Sequence, residues 1–184
     1  APNPRLPAVK SVRVAHAQCV NGHCSEASKA VTLTDGTRKT VSDSVHGISI
    51  AIGSDGFPVV SYSDFQSHEL RLVHCENAYC SENTISILDE LFFASFTSIA
   101  IGSDGLPVVS YYDERNRDLK VAHCARLDCS FNGIATVDGS GNVGGSVSIA
   151  IGRDGFPVVS YYDRITSDLK VAHCGNVDCS GGNT

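Results

Sequence analysis

No stretch of the sequence approaches the roughly 20 consecutive apolar residues that a membrane-crossing helix needs. The longest apolar runs are broken by Gly, Ser and Asp. No segment sustains a 3.6-residue apolar period, so helices are not expected. Positive charge is in deficit: 14 Lys and Arg against 20 Asp and Glu leave a formal charge of -6. That balance disfavours nucleic acid and anionic membrane surfaces as partners. A basic segment leading into an apolar one, the mark of a secretory leader, is missing from the start. The opening Ala1-Pro2-Asn3-Pro4 suits a processed mature end or a piece of a longer protein. Tryptophan is absent altogether. What is present is 42% apolar residues over 184 positions, enough for a globular chain with a sizeable core.

Cysteine is abundant and ordered. Cys19/Cys24, Cys75/Cys80, Cys124/Cys129 and Cys174/Cys179 all have the spacing C-x4-C. An even count in fixed local pairs reads as a disulfide framework in an oxidising compartment, hence a secreted or periplasmic chain. Each bridge closes a loop of only about six residues, so its entropic gain sits at the low end for a disulfide and the bridges act as clips on hairpin ends. A His stands ahead of each pair (His16, His74, His123, His173), which raises zinc as the rival reading. Zinc thiolate sites usually use C-x2-C knuckles whose ligands converge from two segments, whereas each unit here supplies the same one-sided set.

Three segments align almost without gaps, beginning at Ser49, Ser98 and Ser148 with S-I-A-I-G and offset by 49 and 50 residues. The motif L-[KR]-[VL]-[AV]-H-C recurs at Leu70–Cys75, Leu119–Cys124 and Leu169–Cys174, and a degenerate copy, Val12 to His16, leads to Cys19. A period of this size marks a solenoid, a propeller or an array. Each unit reads as four short strands. The first is S-I-A-I-G. The Asp-Gly dipeptide that follows (Asp55-Gly56, Asp104-Gly105, Asp154-Gly155) predicts a two-residue hairpin turn with positive φ at both positions. The second strand is P-V-V-S-Y-Y-D, with its Pro at the first position, where a missing N–H is tolerated. The third is L-K-V-A-H-C. The fourth follows the C-x4-C loop, at Ala30–Thr34, Ile85–Leu88 and Ile134–Val137. The passage with most helical character, Leu88 to Phe96, falls where the other units carry the fourth strand and a loop.

The fold class expected is therefore all-β: tandem four-stranded antiparallel blades of a β-propeller or partial propeller, with one C-x4-C disulfide per repeat. The chain is one repeat domain over 1–184, divided into a partial unit 11–46, units 47–95 and 96–145, and a partial unit 146–184. From Val12 onward this makes thirteen strands, a little over three blades. Propellers need about four to eight blades. The ring is then expected to be completed by a protein partner, by a second copy in a homo-oligomer, or by residues outside the sequence.

The units S-I-A-I-G-S-D-G-L-P-V-V-S-Y-Y-D and D-L-K-V-A-H-C-x4-C resemble a repeat of secreted bacterial β-propeller-like proteins of unassigned function. More loosely they resemble sialidase-type propeller blades, whose S-x-D-x-G turn is similar to Ser103-Asp104-Gly105. The likeness covers nearly the whole chain from about residue 12 and implies the fold. It implies no catalytic residues: D-G-[FL]-P stands where the sialidase-type motif has D-x-G-x-[TS]-W, and the chain has no Trp.

Candidate chemistry is sparse. The paired tyrosines Tyr111-Tyr112 and Tyr161-Tyr162 could stack on apolar sugar C–H faces; the competing role is packing between blades. Asp113 and Asp163, with Asp64, end the second strand, while Asp118 and Asp168 open the third; such a pair would hold calcium, or serve as turn residues bonding their own backbone. The repeated His is expected as a core residue hydrogen-bonded to a neighbouring blade or loop. No other cofactor is expected. Nearly every polar group is repeated, and a repeat yields no asymmetric acid/base pair for glycoside hydrolysis. Gly141-Asn142-Val143-Gly144-Gly145 lacks the Ser of a G-x-S-x-G elbow. The function expected is a non-catalytic extracellular or periplasmic binding or scaffolding module whose repeated loops contact protein or glycan. The alternatives are a structural subunit of a larger assembly and a fragment of a propeller hydrolase.

Overall fold

The computed structural model describes residues 13–16, 19–20, 23–24 and 29–32, and residues 45–184 apart from 66 and 91–93; side chains are described from 47 onward, other than 66 and 91–94. Every regular element among them is a strand. Three antiparallel sheets follow one another along the chain. The first runs β5 (Val45–Ile52), β6 (Pro58–Asp64), β7 (Glu69–Cys75), β8 (Asn83–Glu90). The second runs β9 (Ala94–Ile101), β10 (Pro107–Asp113), β11 (Asp118–Cys124), β12 (Asn132–Asp138), and the third β13 (Val143–Ile151), β14 (Pro157–Asp163), β15 (Asp168–His173). Within each sheet, sequential strands are neighbours, as in a propeller blade. Beside β15, Thr184 exchanges both backbone hydrogen bonds with His173, taking the place Gly133 has beside His123 in the second blade. Ahead of these blades, β1 (Arg13–His16) pairs with β4 (Lys29–Thr32), and β2 (Cys19–Val20) with β3 (His23–Cys24).

The described strands number fifteen, against thirteen expected, and the two extra are β2 and β3. They flank Asn21-Gly22, the dipeptide most strongly associated with two-residue hairpins. The passage Leu88 to Phe96 joins the end of β8 to the start of β9. The register pairs Cys19 with Cys24 on the backbone; the side-chain bridge expected there lies outside the described residues.

The Asp-Gly turns differ from expectation. Positive φ belongs to the glycines alone, at 85° for Gly56, 81° for Gly105 and 87° for Gly155. Gly56 N–H donates to Gly53 C=O at 2.9 Å, and Gly53 N–H to Phe57 C=O at 2.7 Å, a pattern repeated in the next two blades. This is a three-residue loop, a type I turn followed by a left-handed glycine, in place of the two-residue turn. The Asp stays right-handed because its side chain braces the loop, with Asp55 Oδ1 accepting the Phe57 N–H at 3.1 Å.

The first strand of each blade is longer than S-I-A-I-G because it continues through a bulge. Gly47, Phe96 and Ser146 occupy equivalent places there with φ of 58°, 55° and 50°. The pairing to the second strand skips at the same point in every blade. In the first blade a Cβ at this place would lie 2.8 Å from Thr97 N, so glycine answers both the conformation and the close approach of the next blade.

The core lies between blades. Period two sends Val59, Leu70 and Leu72 of the first blade onto Ile99, Val109 and Tyr111 of the second. In the same way Val108, Leu119 and Val121 of the second blade meet Val143, Ile149 and Tyr161 of the third. Strand two is apolar on both faces because each face meets a different blade, the pattern of a doubly covered sheet. Two serines tie the first strands together: Ser49 Oγ accepts Ile99 N–H and Ser98 Oγ accepts Ile149 N–H, both at 3.2 Å. The disulfides Cys124–Cys129 and Cys174–Cys179 are buried in these junctions, while Cys75–Cys80 is buried in a separate cluster of the first blade with Val60, Tyr62 and Val73. Three such bridges mark an oxidising environment. Among the described residues no helix is long and apolar enough to cross a membrane.

Candidate functional site: the two loop ends of the blades

Up-and-down strand order places the Asp-Gly turn and the C-x4-C loop at one end of every blade. The strand two to strand three turn lies at the other end. The two ends use their polar groups differently.

At the turn between strands two and three, polar groups are satisfied within and between blades. Asp113 is fully buried and holds Lys120 Nζ at 2.6 Å. It also accepts Arg115 N–H at 3.0 Å, Asn116 N–H at 3.2 Å and Asn116 Nδ2 at 2.7 Å. Burial by itself would raise this carboxyl; Lys120 and Asn116 outweigh it and hold the group below the usual carboxylate range. Asp163 repeats the arrangement with Lys170 Nζ at 2.8 Å and the N–H groups of Ile165 and Thr166. These pull it down to about 2. Asp64 has Arg71 Nη1 at 3.9 Å. The positive charge beside Asp113 and Asp163, the positions that suggest calcium in the sequence, is thus a lysine of the same blade. Among the described residues no three His, Cys, Asp or Glu side chains group as a metal site requires.

The tyrosines alternate between faces. Tyr111 is buried and donates to Asp89 Oδ2 of the preceding blade at 2.6 Å; Tyr161 does the same to Asp138 at 2.7 Å. Burial and the two carboxylates nearby push the Tyr111 phenol far up, so it remains a donor throughout the physiological range. Tyr112 points to the following blade, donates to Asn142 Oδ1 at 2.6 Å and lies under the Arg164 guanidinium. Tyr162, its equivalent in the third blade, is 39% exposed. These four tyrosines and two aspartates, the candidate ligand-binding residues, therefore do not converge on one site: five are buried and serve their own blade or its neighbour.

Acid sensitivity follows from Asp163. A carboxyl held at about 2 when folded, and at an ordinary value near 4 when unfolded, adds stability above pH ~4 that is lost as pH falls towards 2. Thermal melts taken between pH 5 and pH 2 are expected to show this loss. Asp163→Asn is expected to flatten that limb of the profile.

The other end carries a set of polar pairs where the sequence predicts turn geometry alone. His74 Nε2 lies 2.8 Å from Asp55 Oδ2, His123 Nε2 2.8 Å from Asp104 Oδ2, and His173 Nε2 2.9 Å from Asp154 Oδ2. A carboxylate only accepts, so the ring nitrogen donates. Burial would raise Asp55; the Phe57 N–H and His74 outweigh it and hold the carboxyl low. The bond is to a loop, as expected for the repeated His, but to a loop of its own blade, and the ring is not a core group: it is partly exposed in every blade, to 41% at His173. Its signal in the sequence is an Asp and a His recurring at a constant separation of 19 residues. A second carboxylate comes from the next blade. Asp128 is held low by the Ser130 N–H first and also by His74, and Asp178 by the Ser180 hydroxyl first and also by His123.

Between the first two blades this end opens into a shallow groove of about 340 Å³, lined by His74, Glu76 and Thr84 on one side and Arg126, Leu127 and Asp128 on the other. The Arg126 guanidinium sits 5.3 Å from the centre of the Phe131 ring, which is exposed; Tyr79, in the C-x4-C loop of the first blade, is exposed as well. The groove thus offers both signs of charge, with the Phe131 ring beside its Arg126. No family model matches the chain, and no curated protein is similar enough to match it.

Proposed function

We propose that the chain is a non-catalytic binding module, secreted or periplasmic, that engages a protein partner through the disulfide-clipped loop end of its blades. The observation that supports this most directly is the groove at the first blade junction, with Arg126 and Phe131 on its rim. Exposed Arg and aromatic side chains around a concave polar patch are the residue types that dominate protein–protein binding energy. The clips matter to this reading. Cys75–Cys80 and Cys124–Cys129 pin the loops that carry Glu76, Tyr79, Arg126 and Asp128, so little ordering entropy is lost when a partner docks. The three disulfides agree with the compartment. The opposite end, where Asp113, Asp163, Tyr111 and Tyr161 are used internally, offers less.

A displayed library of random peptides selected on the immobilised, disulfide-intact protein tests the reading. Selected peptides are expected to lose at least tenfold in affinity on Arg126→Ala or Phe131→Ser, and to be indifferent to Arg117→Ala at the opposite end. Selection of no peptide, or binding insensitive to both groove substitutions, defeats the proposal. Binding of arrayed glycans that is lost in those same variants transfers the site to glycan.

A further inference from the structure

Three departures from the repeat meet at one point, where the second and third blades join at the end opposite the clipped loops. There the Arg164 guanidinium lies 5.0 Å from the centre of the Tyr112 ring and 5.7 Å from that of Phe96. Arg164 follows the Asp that ends strand two, a place held by Phe65 in the first blade and Glu114 in the second. Phe96 fills the bulge position of Gly47 and Ser146, and Tyr112 stands where the first blade has Ser63. The first junction, with Gly47, Ser63 and Glu114 at these places, forms no such cluster. Local structure fixes the cation. Arg164 N–H donates to Asn142 C=O at 2.9 Å, and a Cβ on Gly145 would lie 3.2 Å from Arg164 Nε, so the side chain crosses bare backbone of β13. Burial pushes the Tyr112 phenol up, and of the charges around it Arg164 acts most strongly, pulling it back. Yet no ion pair joins Arg164 to a carboxylate among the described residues.

We infer that Arg164, with the exposed side chains of Phe96 and Ile165, is a docking point for an acidic segment of a partner protein, one presenting Asp or Glu next to an apolar residue. A guanidinium set over a ring keeps its in-plane N–H groups free, and their fork matches a carboxylate. Phe96 is 39% exposed and Ile165 68%, which supplies apolar area for the neighbouring residue of the partner. Arginine and aromatic side chains held in place are the usual anchors of such contacts. The polar side chains nearby are already committed: Asn142 Oδ1 accepts the Tyr112 hydroxyl, Ser95 donates to Glu114 and Asn116 to Asp113. A sugar would find few partners here for its hydroxyls, whereas a carboxylate beside an apolar group meets what is present. The overall charge of -6 opposes an acidic partner at long range, so the match is local, within about a Debye length of 10 Å. This site is independent of the loop-end groove, which lies at the opposite end of the blades.

The test is calorimetric titration of the disulfide-intact protein with short peptides, each carrying one Glu flanked by Phe or Leu, and with twins in which Gln replaces the Glu. The Glu peptides are expected to bind, and their twins to bind at least tenfold more weakly. Arg164→Glu is expected to weaken the Glu peptides at least tenfold, and Phe96→Ser several-fold. Both variants take residues that the repeat already carries at those places, Glu114 and Ser146, so they should keep the native melting behaviour. Arg126→Ala, in the groove, is expected to leave the binding unchanged. Twins that bind alike overturn the inference, and so does the absence of binding up to millimolar peptide. Glu peptides that bind Arg164→Glu as they bind the native chain overturn it as well. If that same binding is lost in Arg126→Ala, the peptides sit in the loop-end groove, which sinks this site and supports the other.

Discussion

Replacing Lys120 by Met is expected to destabilise the protein by about 3 kcal/mol, read from the midpoint of urea unfolding at neutral pH. The magnitude comes from what is left behind. Asp113 has no solvent exposure, and Lys120 is the cation beside it at 2.6 Å. Removing one partner of a buried pair leaves the other charge uncompensated, at a cost of roughly 3–5 kcal/mol. The lower end applies because Asn116 and the N–H of Arg115 still donate to the carboxylate. The variant can also relieve the charge by binding a proton, so the difference from the native protein should narrow as the pH is lowered. Lys120→Arg is the control. The first blade carries Arg71 at this place, within 3.9 Å of Asp64 and bonded to Glu69, so a guanidinium fits the repeat. If Lys120→Met proved as mild as Lys120→Arg, the ion pair would not be holding the turn.

Leu119→Ala and Leu169→Ala are expected to differ sharply although the two leucines occupy one repeat position. Leu119 is fully buried between the second and third blades. Truncating it removes transfer free energy and leaves a cavity, for a loss of about 3 kcal/mol. Leu169 stands on the open face at 78% exposure, so its loss should stay within about 0.5 kcal/mol in dilute, unassociated protein. Equilibrium unfolding of the two variants at low micromolar concentration makes the comparison. Equal costs would mean that the blades do not bury their faces against one another in the order described.

Much of this architecture is legible in the sequence because its determinants are local and repeated. The β-branched run at Val108-Val109, the Pro that opens each second strand, and the Gly of each turn specify strands and hairpins without knowledge of the tertiary fold. The roles of polar residues are harder to read, because they depend on what lies opposite. Tyr111 and Tyr112 are adjacent in sequence yet serve different blades, and the acceptor of Tyr111 is Asp89, at the end of a variable fourth strand. A second Asp in the same place, Asp138, is the one hint of it. The bulge at Gly47 is hidden for another reason: Phe96 and Ser146 fill the equivalent places with residues that do not advertise positive φ. The Asp–His bond escapes notice because a turn Asp already has a sufficient local explanation, and only the fixed spacing to His74, His123 and His173 reveals its second use. The groove needs Arg126 and Glu76 from two different units, and no periodic pattern announces that pair.

The sulfurs of two clips are sealed inside the seams between blades, with Cys124, Cys174 and Cys179 at zero exposure and Cys129 at 1%. A thiolate reagent can attack one only while its seam is parted, since exchange needs direct approach to the sulfur. Each of these two bridges is therefore a built-in timer for the breathing of one seam. The rate at which a given pair is reduced in native buffer counts how often those two blades separate, seam by seam along the array, a local opening that bulk melting would average away.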